Sequence, residues 1–232
     1  MAETSSSLIK HTALKRPDGH IADFCLGCGT CAAGCPMTGI DGFDPRKIVR
    51  MAMLGRDQQL ADSSLPWLCT LCGRCENACP MGINIVGLIR SSREMSGKDK
   101  TPSAIRKGLE MLLETGNILG LPEEDFGFII SDVAEELNEQ TGFEDLTVPL
   151  EKQGARLLCT LHNKLVNIQN EDLIHWWKIF HLAGESWTLP ARNWEGVNWG
   201  LFSGEDSVLK TAVDNIVNNM ERLGAQHLMY PE

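Results

Sequence analysis

Eight of the nine cysteines fall in two arrays, CLGCGTCAAGCP from Cys25 to Pro36 and CTLCGRCENACP from Cys69 to Pro80, and each array reads C-x2-C-x2-C-x3-C-P. Three thiolates at successive two-residue gaps can wrap one cubic iron–sulfur cluster, because a tight loop turns their side chains inward. The fourth, set before a proline, is carried to the neighbouring cluster. On that rule Cys25, Cys28, Cys31 and Cys79 hold one 4Fe-4S cluster, and Cys69, Cys72, Cys75 and Cys35 hold the other. Zinc also accepts four thiolates, but its structural sites space them as separated C-x2-C pairs without a third cysteine two residues on. Gly27, Gly29 and Gly73, with the small residues Ala32, Ala33 and Ala78, allow backbone amides to approach the sulfides, and such hydrogen bonds tune the potential. Pro36 and Pro80 then end each turn. Clusters that share ligands in this way lie close together, which suits electron transfer; the competing reading is that they only brace the fold.

The elements that must position these thiols are helical. Residues 36–68 exceed what a compact ferredoxin hairpin needs, and they contain a helix signal of their own: Asp44 as N-cap, Pro45 in the first turn, and RKIVRMAMLG unbroken up to Gly55. After the second array, INIVGLIRSSREM sets Ile85, Leu88, Ile89 and Ser92 at helical spacing. Both arrays therefore lead into helices, the pattern of an α-helical ferredoxin.

Composition narrows the function classes. The chain of 232 residues is 43% hydrophobic and can bury real cores. A net charge of -10 argues against a nucleic acid or an anionic membrane surface as the main partner. No apolar run approaches the roughly 18 to 20 residues of a membrane span, and MAETSSSLIKHTALKRPDGH lacks the apolar centre of a secretory signal. A cytoplasmic protein is expected.

The stretches CLGCGTCAAGCPMTGIDGFDPRKIVRMAMLG and WLCTLCGRCENACPMGINIVGLIR resemble the C subunit of heterodisulfide reductase over residues 21–95. The resemblance implies an α-helical ferredoxin domain with two 4Fe-4S clusters. Its eight cysteines match the ligands Cys25, Cys28, Cys31, Cys35, Cys69, Cys72, Cys75 and Cys79 one for one. It also implies a hetero-oligomeric complex in which the chain relays electrons between a flavin-containing A subunit and a catalytic B subunit with CCG motifs. The stretch WTLPARNWEGVNWGLFSGEDS, with the final AQHLMYPE, is similar to the region before a CCG-type motif in the D subunit of heterodisulfide reductase and in the K subunit of the related sulfite reductase complex. No Cys-Cys-Gly occurs in the chain, so no catalytic residue is assigned. A D- or K-like catalytic fragment and an iron–sulfur redox sensor or scaffold are the alternative readings. The extension also points towards sulfur oxidation.

The second half reads as helices followed by a small α/β half-domain. Thr101 and Pro102 cap a helix with Ile105, Leu109, Leu112 and Leu113 on one face, expected to pack on the ferredoxin domain. Residues 121–150 look like an acidic connector with a helix around 132–138. ARLLCTL, SWTL and AQHLMYP read as strands, separated by the helices NEDLIHWWKIFHLAG and SVLKTAVDNIVNNMERLG. The second of these carries the stripe Leu209, Ala212, Val213, Ile216, Val217, Met220 and Leu223. Strand alternating with helix implies a parallel sheet, whose last strand leaves an edge for a partner or a further segment to cover. The domain reading is thus an N-terminal arm at 1–20, a ferredoxin domain at 21–100, a helical connector at 101–153 and a half-domain at 154–232.

Several residues read as structural. Cys159 in a strand acts as a small apolar residue; Trp176 and Trp177 are expected in the core, and Trp187, Trp194 and Trp199 in core or interface. His162, His175 and His181 lack the i, i+4 spacing of a metal pair. Lys98 and Lys100 belong to a solvated loop. No phosphate-cradling glycine motif is present, so nucleotide or flavin binding is not expected.

Overall fold

A computed structural model of the chain describes residues 25–143 and 146–230. The expected N-terminal arm lies outside the described residues. The chain divides into two compact units. One takes in the described residues up to Ser103 together with Leu201–Glu205; the other comprises Ala104–Gly200 and the described residues from Asp206 onward.

The first unit is helical: α1 (Thr30–Ala33), α2 (Pro45–Met53), α3 (Asp57–Ala61), α4 (Leu65–Leu68), α5 (Arg74–Asn77) and α6 (Ile85–Ser96). The Asp44 carboxylate caps α2 by accepting from the amides of Arg46 at 2.8 Å and Lys47 at 3.4 Å, with Pro45 in the first turn as expected. Asn84 caps α6 by accepting from the Gly87 amide at 2.6 Å. Ile85, Leu88, Ile89 and Ser92 form the buried face of α6, against Ile48, Val49, Ala52, Leu60 and Phe43. Lys98 and Lys100 lie in a 3-10 turn, and Lys100 pairs with the half-exposed Asp62.

In the second unit α7 (Ser103–Thr115) buries Leu109 and Leu112 against Val208 and Ala212. Leu113, expected on the same face, is 53% exposed. The buried face turns towards Gly108, where a Cβ would stand 3.0 Å from the Trp199 ring. The supposed connector contains a long helix, α8 (Glu123–Thr141), which reaches well beyond the expected 132–138. Glu123, Glu124 and Asp125 suit the positive end of its dipole, and Gly142 ends it at φ 70. Its Phe126, Ile130, Val133 and Leu137 sit at the centre of the larger core. Gly127 is accommodated within the helix rather than breaking it.

The remaining elements are β1 (Leu157–Cys159), α9 (Asn163–Asn167), α10 (Glu171–Leu182), β2 (Trp187–Thr188), α11 (Asn198–Ser203), α12 (Asp206–Leu223) and β3 (His227–Met229). The strands form the expected parallel sheet in the order β2-β1-β3, with Leu158 beside Thr188 on one side and Leu228 on the other. The α12 stripe is rotated from the expectation. Val208, Ala212, Ile216, Asn219 and Leu223 are buried, while Val213 is 42% and Val217 45% exposed. Asn219 takes a core position because its amide donates to the carbonyls of Arg192 at 2.9 Å and Asn193 at 3.3 Å.

Trp177, Trp187 and Trp194 are buried, but Trp176, expected beside Trp177, is 39% exposed; adjacent residues on a helix diverge by about 100°. Cys159 is buried as expected, and burial pushes its thiol up to about 12. His162 caps α9 by accepting from the Lys164 amide at 3.1 Å, and the His181 ring lies 4.6 Å from that of Phe143. Among the described residues no helix is long and apolar enough to cross a membrane.

Candidate metal centre

The two cysteine arrays adopt the same local geometry. Gly27 (φ 66) and Leu71 (φ 56) occupy equivalent positions in the left-handed region. From there the amide of each donates to the sulfur two residues back, Gly27 to Cys25 and Leu71 to Cys69, both at 3.4 Å. Gly29 (φ 81) and Gly73 (φ 74) then open α1 and α5. Those short helices carry Cys31 and Cys75 and pack against each other. The backbone thus needs a positive φ twice per array. Glycine meets it at three of the four positions, and Leu71 accepts it at a cost of order 1 kcal/mol.

Because α1 packs on α5, the last cysteine of each array is delivered to the loop of the other. Cys35 lines a cavity with Cys69, Cys72 and Cys75; Cys79 lines a second with Cys25, Cys28 and Cys31. Phe43, Pro45 and Ile89 complete the wall of the first, Val49, Ile83 and Met81 that of the second, and Ile85 touches both.

The thiols differ in setting. Burial pushes Cys31 and Cys69 up and takes Cys75 to about 12. The outer pair is lowered, Cys28 by the Thr30 hydroxyl and Cys72 by the Arg74 amide. Loading a metal centre must therefore expel protons from the inner thiols. Four cysteines line each cavity. Among the described residues no group of three or more His, Cys, Asp or Glu side chains is arranged to hold a single ion. Four thiols lining an apolar cavity fit a polynuclear cube, whose irons each meet one sulfur.

Two neighbouring residues escaped the sequence reading. Leu71 could have been found by superposing the second array on the first, which sets it against Gly27. Arg93, on α6, is 2% exposed. It donates to the carbonyl of Pro66 through Nε at 3.0 Å and Nη2 at 2.9 Å, to that of Cys69 at 2.6 Å, and to that of Phe202. Its guanidinium lies between the rings of Trp67, 5.0 Å from the centroid, and Phe202, at 4.0 Å. An arginine in a helix with other charged residues gives no sequence signal of burial.

Residues 21–83 match the 4Fe-4S dicluster domain family. The C subunit of the ferredoxin:CoB-CoM heterodisulfide reductase of Methanosarcina mazei is 36% identical over 109 residues, 43% of this chain and 62% of that protein. The C subunit of the H(2):CoB-CoM heterodisulfide,ferredoxin reductase of Methanothermobacter thermautotrophicus is 29% identical over 135 residues, 57% of this chain and 68% of that protein. A protein of Archaeoglobus profundus described as like the heterodisulfide reductase C subunit is 28% identical over 115 residues, 44% of this chain and 61% of that protein. The matched stretches cover 61% to 68% of the length of these three relatives. Alongside the paired cysteine cavities, residues 21–83 match the 4Fe-4S dicluster domain family, and the chain is similar over part of its length to the C subunits of heterodisulfide reductases.

Proposed function

We propose that this chain relays single electrons through two 4Fe-4S clusters within a heterodisulfide-reductase-like complex. One cluster is held by Cys25, Cys28, Cys31 and Cys79, the other by Cys69, Cys72, Cys75 and Cys35. The observation that best supports this reading is the pair of cavities, each lined by three cysteines of one array and the fourth of the other. A bound cluster supplies one-electron redox chemistry at near-constant geometry. The chain's residues anchor it and exclude water: Phe43 and Ile89 wall one site, Val49 and Ile83 the other, and Ile85 stands against both.

The partners are a flavin-carrying A-type subunit and a CCG-containing B-type subunit in a hetero-oligomer in the cytoplasm. The chain itself neither makes nor breaks the substrate's disulfide, because it has no CCG cysteines. The C-terminal likeness to the D and K subunits points to oxidative sulfur metabolism.

Anaerobically prepared protein should contain about eight irons and eight acid-labile sulfides per chain. The crossing of ligands is tested by comparing Cys28→Ala with Cys79→Ala and Cys72→Ala with Cys35→Ala by EPR of the reduced protein. Each pair should lose the same cluster signal, although its members lie in different arrays. Zinc in place of iron would overturn the reading, and loss of signals array by array would overturn the crossing. Co-purification from the native host should bring down a flavoprotein and a CCG-bearing partner.

A further inference from the structure

We propose that Arg93 is a positioning residue that raises the reduction potential of the cluster held by Cys69, Cys72, Cys75 and Cys35. This rests on the electron-relay reading above and deepens it at one of the two sites. Three observations carry it. The guanidinium touches that ligand set directly, since Nη2 donates to the Cys69 carbonyl at 2.6 Å. It is shielded from solvent, at 2% exposure between the rings of Trp67 and Phe202. Its hydrogen-bond acceptors, the carbonyls of Pro66, Cys69 and Phe202, are neutral.

A buried cation hydrogen-bonded to carbonyl dipoles keeps most of its field, whereas a surface charge is weakened by water and salt. Reduction adds one electron to the cluster and breaks no bond, so a nearby fixed positive charge favours the reduced state. Arginine is not deprotonated in proteins, so the guanidinium keeps its positive charge at neutral pH.

The other charged groups at the two cavities are less well placed to act. Arg46, at the cavity of Cys25, has a half-exposed side chain paired with Asp44 at 3.8 Å. Arg74, at the other cavity, is exposed. Glu76 follows Cys75 and opposes Arg93 in sign, but its carboxylate is only half-buried and accepts from the Val86 amide at 2.6 Å.

The test is an EPR-monitored redox titration with dithionite of the whole iron-loaded chain, wild type against Arg93→Gln, Arg93→Met and Arg93→Lys. The Cys72→Ala chain identifies which midpoint belongs to the site beside Arg93. Both neutral variants should keep two clusters and lower that one midpoint, with about a tenfold fall in the equilibrium constant for reduction, about 59 mV for a one-electron couple. Arg93→Lys should stay near wild type, and the cluster of Cys25, Cys28, Cys31 and Cys79 should not move. Unchanged midpoints in fully loaded neutral variants would overturn the proposal. Equal shifts at both clusters would do the same, as would loss of the neighbouring cluster from both neutral variants, which would make Arg93 a structural prop. Wild-type protein without clusters would instead defeat the electron-relay reading itself.

Discussion

In the unit that bears the cysteine arrays, the buried side chains are mostly Ile, Val, Leu and Ala set around two sulfur-lined cavities. In the α/β unit the interior is closed by rings. Phe126 stacks on Trp194 at 4.8 Å and 7°, and Trp187 lies 5.0 Å from Phe180 and 6.2 Å from Trp177. The first unit is built from short helices, several of a single turn, joined by loops whose geometry serves the thiols. The second has helices of 19 and 18 residues and a sheet. One interior is thus organised around two thiol-lined cavities, and the other around packed aromatic rings.

On that contrast, removing iron should separate the units, and this is the largest effect expected. Anaerobic chelation should abolish hydrogen-exchange protection in α1, α2, α5 and α6 while α8, α10 and α12 keep theirs, since metal binding is folding free energy where ligands line the core. Equal loss in both units would mean that they unfold together and would remove the distinction.

The converse perturbation acts on the aromatic core. Trp194→Ala should destabilise the α/β unit by about 3–5 kcal/mol, the usual cost of emptying a buried large ring. In denaturant unfolding followed by circular dichroism the α/β transition should move to lower denaturant, with the iron content of the native protein unchanged.

The smallest effect concerns the surface of the α/β unit. The Arg222 guanidinium and the Ala191 amide hold the Glu151 carboxyl below the usual carboxylate range. Its stabilising contribution is therefore present above the unfolded carboxylate pKa and lost as pH falls through the lowered folded value. The pair is partly exposed, so its worth is about 0.5 kcal/mol. Glu151→Gln should flatten the acid limb of the α/β transition by that amount and leave the transition of the cysteine-bearing unit in place.

The two halves also differed in how readily they could be read. Asp44 and Pro45 begin α2 through atoms of their own segment, and the strand–helix alternation after residue 154 led directly to a three-stranded parallel sheet. Errors arose where a side chain's fate depended on a distant partner. Val213 and Val217 are apolar but exposed, because the Asn219 amide reaches the carbonyls of Arg192 and Asn193 and α12 faces its core accordingly. Leu113 lost its place to the approach of Trp199 to Gly108. The acidic outer face of α8 concealed a stripe from Phe126 to Leu137.

Residue order alone specified the two thiol arrays, their glycine-dependent turns and the alternation of helix and strand, since each depends on neighbours within a few positions, where spacing and backbone preference act directly. Tertiary structure decided which face of α7 and α12 is covered, that α8 belongs to a core, and that Arg93 is shut between Trp67 and Phe202 beside Cys69. These outcomes turn on contacts between segments far apart in the chain, such as Arg93 with Phe202. A local pattern carries no information about which remote carbonyl or ring will meet a given side chain.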